Sequence, residues 1–125
     1  VAGRTVIAED EVRPLAGWLV VLRSRDVPVY QDVPIFVGQN RLGRNPSLGP
    51  QTIPDGLVSS DHAMVVVTDS PAGRQVQISN LSATNGTLVN QAKIQTTVLQ
   101  GGEMVRMGKT TMVYVPYPGD GPAPR

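Results

Sequence analysis

Short apolar runs separated by turn residues fill the middle of the chain, at 18–23, 33–37, 40–43, 63–68, 75–79, 86–90, 103–107 and 110–115. Within several of them apolar and polar positions alternate. Val76 and Ile78 fall on one face of an extended chain, and Gln75, Gln77 and Ser79 on the other. Successive side chains of a strand point to opposite sides, so this alternation predicts strands with one buried face. No segment keeps a helical period over the ~10 residues a helix needs. Ser70-Pro71-Ala72-Gly73, Asn85-Gly86, Gly101-Gly102 and Met107-Gly108-Lys109 punctuate the runs as turn or hairpin signals. The pattern predicts an all-β domain built as two packed antiparallel sheets, and no internal repeat is visible.

The ends depart from the pattern. Residues 1–14 carry clustered charge (Glu9, Asp10, Glu11, Arg13) without periodicity and read as a flexible N-terminal arm. Residues 116–125 are rich in Pro and Gly and read as a tail or linker, leaving 15–115 as the folded part. The chain opens on Val1, so an excised piece of a longer protein is expected.

Composition then narrows the function. A length of 125 residues suits one domain. The formal net charge of +1 gives no reason to expect a general nucleic-acid or membrane-surface binder. The absence of Cys removes disulfides, zinc-thiolate sites and thiol nucleophiles. No apolar stretch approaches the ~20 residues that cross a bilayer, and no signal peptide is legible. A cytoplasmic domain without a cofactor is expected. The arginine-heavy, lysine-poor basic set points to a GC-rich bacterial source.

Four polar patches interrupt the strands. In Leu42-Gly43-Arg44-Asn45-Pro46, Gly43 is expected to adopt a backbone shape closed to other residues, and Pro46 to end the strand. Arg44 would then be fixed at a strand end, a planar fork suited to two oxygens of a phosphate or carboxylate. A solvated arginine in a tight turn explains it as well. In Val58-Ser59-Ser60-Asp61-His62-Ala63, the hydroxyls precede an apolar run and can donate to an anion. Ser, Asp and His within four residues do not make a hydrolase triad, whose members usually come from distant segments. His62, the only histidine, reads as a buried tie between loops. In Ala83-Thr84-Asn85-Gly86-Thr87, Thr84 and Asn85 present a hydroxyl and a carboxamide, although a plain Asn-Gly turn would need the same residues. The fourth patch, 102–110, reads as a β-hairpin. No phosphate-cradling glycine loop and no catalytic carboxylate pair is present, and aromatics at 4% are too few for base stacking.

Taken in order, Gly43-Arg44, Ser59-x-x-His62, Thr84-Asn85-Gly86-Thr87 with Asn90, Gly102-Glu103 and Gly108-Lys109-Thr110 resemble the forkhead-associated (FHA) domain family. The resemblance runs from about Trp18 to Val115. It implies an 11-stranded β-sandwich whose loops at one end bind phosphothreonine peptides, as an adaptor in Ser/Thr kinase signalling. It puts Arg44 and Ser59 on the phosphate with Thr84 helping, Ser60 at a second polar contact, and Asn85 on the peptide backbone. Gly43, His62, Gly86, Thr87 and Asn90 resemble the set that shapes the loops. Many members carry Arg or Asn where this chain has Ser60, and the segment 46–56 is unusually rich in turn formers.

The expected partner is thus a phosphothreonine-containing protein or peptide, with no nucleic acid and no membrane. Thr5, beside Arg4 in an acid-flanked arm, is a candidate phosphorylation site, and a phosphorylated arm is a further candidate ligand. The competing class is a phosphate-independent interaction or dimerisation module that uses a sandwich face or edge strand. An enzyme ranks last, because no nucleophile–base pair is legible.

Overall fold

The computed structural model describes residues 13–118. Among them run ten strands: β1 (Leu15–Arg23), β2 (Asp32–Phe36), β3 (Gly38–Leu42), β4 (Ala63–Ser70), β5 (Gly73–Asn80), β6 (Thr87–Val89), β7 (Ala92–Lys93), β8 (Thr96–Leu99), β9 (Met104–Met107) and β10 (Thr110–Pro116). The single helical element among these residues is a short 3-10 helix, Pro46–Gln51. A six-stranded sheet of order β2-β1-β10-β9-β6-β7 faces a four-stranded sheet of order β3-β4-β5-β8. No helix of the described residues is long and apolar enough to cross a membrane.

The alternation read along the chain becomes the core of the sandwich. Leu19 pairs with Tyr114 and Val21 with Met112, and all four are buried. From the other sheet, Val65 opposite Ile78 and Val67 opposite Val76 meet them. Full burial of each aliphatic side chain contributes roughly 1.5–3 kcal/mol, so these rows carry most of the favourable energy. One polar cluster sits inside. The buried Asn40 amide donates to the carbonyls of Phe36 and Val65, and its oxygen accepts from the Phe36 amide and from Gln51. That network pins the β2–β3 corner and the 3-10 helix to β4.

Two packed antiparallel sheets are what the pattern predicted; the strand count among the described residues is ten, where the resemblance implied eleven. Strands β7 and β8 escaped the pattern because they bury almost nothing: both residues of β7 are exposed, and only Leu99 of β8 is buried. Residues flanking 15–115 bond to it at both ends. Arg13 donates to the carbonyls of Gln39 and Val37 and stacks over the Phe36 ring, and Pro14 accepts from the Val37 amide. Pro116 closes β10, and the Tyr117 amide donates to Ala16. Thr5 and the rest of 1–12 and 119–125 lie outside the described residues.

Candidate functional site

The β3–β4 connection (residues 43–62) and the β5–β6 connection (residues 81–86) lie side by side at one end of the sandwich. Gly43 follows β3 and lies under the Ser60 carbonyl: a Cβ there would sit 2.0 Å from that oxygen. The requirement for glycine is therefore close approach of two backbones. The expected special conformation is corrected, since Gly43 is not among the residues with positive φ. Asn45 then caps the 3-10 helix through the Ser47 amide, with Pro46 in its first turn.

This approach anchors Arg44. Its amide donates to the Ser59 carbonyl at 2.9 Å, and its Nε donates to the Val58 carbonyl at 2.9 Å. With Nε held, the two Nη groups of this exposed side chain have no protein partner among the described residues and face solvent. Ser59 is placed from the other side. Its amide donates to Nδ1 of His62 at 3.0 Å, and its hydroxyl oxygen accepts from the Thr84 amide at 3.3 Å. The Ser59 hydroxyl proton is left free to donate outward.

His62 is fully buried and joins four segments. The ring accepts from Ser59 at Nδ1 and meets the Gly86 carbonyl with Nε2 at 2.8 Å, so Nε2 carries the proton. Its backbone donates to Leu42 and accepts from Leu81. Burial pushes its pKa below the ordinary histidine value, although the Gly86 carbonyl and the Asp55 charge pull the other way. Both ring nitrogens are engaged with backbone, so neither is available as a general base. A Ser–Asp–His hydrolase arrangement is not formed.

The 81–86 loop presents the remaining groups. Ser82 adopts a left-handed φ of 60°, which turns the chain back toward the Ser59 loop. A turn closed by the Gly86 amide on the Ala83 carbonyl follows, with Gly86 at φ 75°. Thr84 and Asn85 occupy its two central, exposed positions. Asn85 Nδ2 donates to the Leu57 carbonyl at 2.9 Å, clasping the two loops together. Arg44, Ser60, Thr84 and Asn85, all exposed, and the half-buried Ser59 are thus brought to the same end of the sandwich, and two clefts of about 470 and 440 Å³ are lined by none of them.

Asp55 is the support that sequence reasoning missed. It is buried, and its carboxylate accepts from the amides of Leu57 and Lys109 and from the Thr110 hydroxyl, at 2.7–2.8 Å. Burial raises its pKa, but the bonds from Leu57, Thr110 and Lys109 and the Lys109 charge together hold it below the usual carboxylate value. Because Thr110 donates its proton to Asp55, the Ser24 hydroxyl must donate to Thr110, at 2.8 Å. The Leu57 carbonyl that holds Asn85 is thereby fixed to the β9–β10 hairpin. The local sign was Pro54-Asp55-Gly56, a turn-forming triplet, but its partners lie 54 and 55 residues away.

The remaining expected supports divide. Thr87 is buried and donates to the Asn80 carboxamide at 2.8 Å, holding the start of β6 to the end of β5. Asn90 lies four residues beyond Gly86, at the far end of β6, ~13 Å away along the strand. It bonds Met104 through both backbone and side chain and turns the β6–β7 hairpin. Among the described residues no cluster of side chains could hold a metal ion.

The family model described as "FHA domain" matches residues 40–108. No curated protein matches the chain. Among solved structures, one reported under phosphothreonine-dependent FHA domain interactions is 25% identical, with a TM-score of 0.68 over 82% of this chain and 98% of that one. The FhaA FHA domain, solved in complex with the intracellular domain of another protein, is 25% identical, with a TM-score of 0.65 over 79% and 99% of the two chains. An FHA domain from Chlamydia trachomatis is 23% identical, with a TM-score of 0.69 over 82% and 98%, and supports the fold alone.

Proposed function

We propose that this chain, which belongs to the FHA domain family, is a phosphothreonine-peptide-binding module, with Arg44, Ser59, Ser60, Thr84 and Asn85 as its contact surface. A phosphothreonine brings about −1.5 to −2 charges and three strong acceptor oxygens. The observation that carries the proposal is the anchoring of Arg44 through Nε, which turns its Nη pair outward beside the free Ser59 hydroxyl. A guanidinium fixed at Nε loses little further entropy when its Nη groups meet two phosphate oxygens. Ser59 and Thr84 add hydroxyl donors, and Ser60 is exposed next to Ser59. Each charge-assisted bond contributes roughly 1.5–3 kcal/mol, so three of them dominate a small interface. Asn85 has Nδ2 committed to Leu57, which leaves its carbonyl oxygen to accept from a peptide amide. The methyl group that separates threonine from serine is worth about 0.8 kcal/mol if fully buried.

The engaged ring of His62 favours binding over catalysis at this cluster. The module is read as part of Ser/Thr kinase signalling, because the solved relatives include one reported for phosphothreonine-dependent interactions. Arg44→Ala is the test. We expect it to abolish phosphothreonine-peptide binding in fluorescence anisotropy while the melting temperature stays within a few degrees. Equal affinity for phosphothreonine, phosphoserine and unmodified threonine forms of one peptide would instead favour the phosphate-independent module.

A further inference from the structure

The outer face of the six-stranded sheet carries one continuous row of cross-strand partners. Lys93 on β7 pairs with Leu88 on β6, Leu88 with Arg106 on β9, Arg106 with Thr111 on β10, and Thr111 with Arg23 on β1. Residues directly opposite one another share a face, and the three cations of the row are exposed. Neighbouring strands stand ~4.8 Å apart, so the row spans ~19 Å. None of the three cations is paired with a carboxylate among the described residues, and Arg106 makes one bond, from Nε to the Gly108 carbonyl. Four residues of the row, Leu88, Arg106, Thr111 and Arg23, line a cleft of about 440 Å³ that also takes in Met104, itself 39% exposed. The nearest acidic side chain in the adjoining row is Asp32, at the β2 edge, beyond Met104, Val113 and Val20.

The row is continuous with the phosphothreonine site. The Lys93 stem lies along Gly86, where an added Cβ would meet its Cε at 3.0 Å, and Gly86 follows Asn85 directly. A ligand held at Asn85 therefore has a path of cations leading across the sheet. Two unneutralised arginines at a cleft that also holds Leu88 and Met104, with Lys93 at the end of the row nearer Asn85, suit an acidic segment with one apolar side chain. A nucleic-acid backbone fits less well, since the row holds no aromatic ring to stack a base and the apolar Leu88 separates Lys93 from the two arginines.

We infer that the Lys93–Arg106–Arg23 row is a second docking surface, for an acidic segment of the same partner that presents the phosphothreonine, with an apolar side chain between Leu88 and Met104. This rests on the phosphothreonine reading of the Arg44 cluster. The two sites act through effective concentration, the first contact holding the second segment close. Both are cationic, so the second contact weakens with salt.

The test compares a short phosphothreonine peptide with two longer forms, extended at either end through a spacer of about six Gly/Ser residues (~13 Å r.m.s.). One extension is Asp-Glu-Leu-Asp-Glu and the other its amide analogue Asn-Gln-Leu-Asn-Gln. At low salt we expect about tenfold tighter binding of the acidic extension from at least one end, shrinking toward the short-peptide value at high salt. In the double variant R23E/R106E that gain is lost, while short-peptide affinity and melting temperature stay unchanged. Equal affinity for acidic and amide extensions, with the short peptide still bound, overturns the second surface alone. Failure of the short peptide to bind overturns the pocket, and this inference with it. A duplex oligonucleotide that displaces the acidic extension without displacing the short peptide assigns the row to nucleic acid instead, and overturns the proposal.

Discussion

The Ser70–Gly73 turn and the 43–62 loop each join neighbouring strands of the four-stranded sheet, β4 to β5 and β3 to β4, yet their bonds run differently. The turn closes on itself: the Ser70 hydroxyl accepts from the Ala72 amide and donates to the Gly73 carbonyl. The loop is held from outside. The His62 ring fixes Ser59 to Gly86, the Asp55 carboxylate fixes Leu57 to the β9–β10 hairpin, and Asn85 closes on Leu57 from a third segment. A self-closed turn can be altered without moving its neighbours. A loop held by buried polar groups fails as a unit, because each lost partner leaves a desolvated donor or acceptor behind.

That contrast can be broken most forcefully at His62. His62→Ala opens a cavity and orphans the Ser59 amide and the Gly86 carbonyl, so we expect about 4 kcal/mol of lost stability. Thermal or denaturant unfolding measures it, and phosphopeptide affinity should fall with it, since Ser59 loses its seat. Gly43→Ala drives a Cβ against the Ser60 carbonyl and should cost about 3 kcal/mol, at the top of the overpacking range. A variant of unchanged stability would show that the two backbones separate easily, contrary to the close approach that anchors Arg44.

Asp55→Asn should cost about 2 kcal/mol near neutral pH, because charge-assisted bonds weaken and an amide group now faces donors. The pH dependence has a defined sign. The folded-state pKa of Asp55 lies below its unfolded value of about 3.9, so its contribution is present above that value. It is lost as pH falls through the depressed folded value. The difference in unfolding free energy between wild type and Asp55→Asn should therefore be constant from pH 7 to about 5 and narrow below pH 4. A difference that widens on acidification would contradict the ionised, multiply bonded carboxylate. At the other extreme, Ser70→Ala should change stability by about 0.5 kcal/mol or less and leave phosphopeptide affinity untouched. A binding defect in that variant would erase the distinction between the two kinds of connection.

The residues of the candidate cluster were legible in the sequence. Arg44, Ser59, Thr84 and Asn85 stood out as polar interruptions of apolar runs, and the structure draws them to one end of the sandwich. His62 was read as a tie between loops, and its ring does bond two of them. Asp55 was not legible, because its meaning depends on Lys109 and Thr110, far along the chain. Asn40 escaped for the same reason: a carboxamide in an apolar run gives no sign that it will be buried against Val65 and Gln51. Lys93 was hidden in a stretch whose strands bury too little to leave an alternating pattern.

By itself the sequence determined the class of fold and the positions of most of its strands, because alternation and turn chemistry are local properties of a chain. It also determined which polar residues would end up in loops. Tertiary structure decided what those loops could do. Only the packing of two sheets brings Asp55 to the β9–β10 hairpin, turns the Arg44 Nη pair outward, and aligns Lys93, Arg106 and Arg23 on one face. Such alignments depend on contacts between segments distant in sequence, and no local pattern encodes which segments will meet.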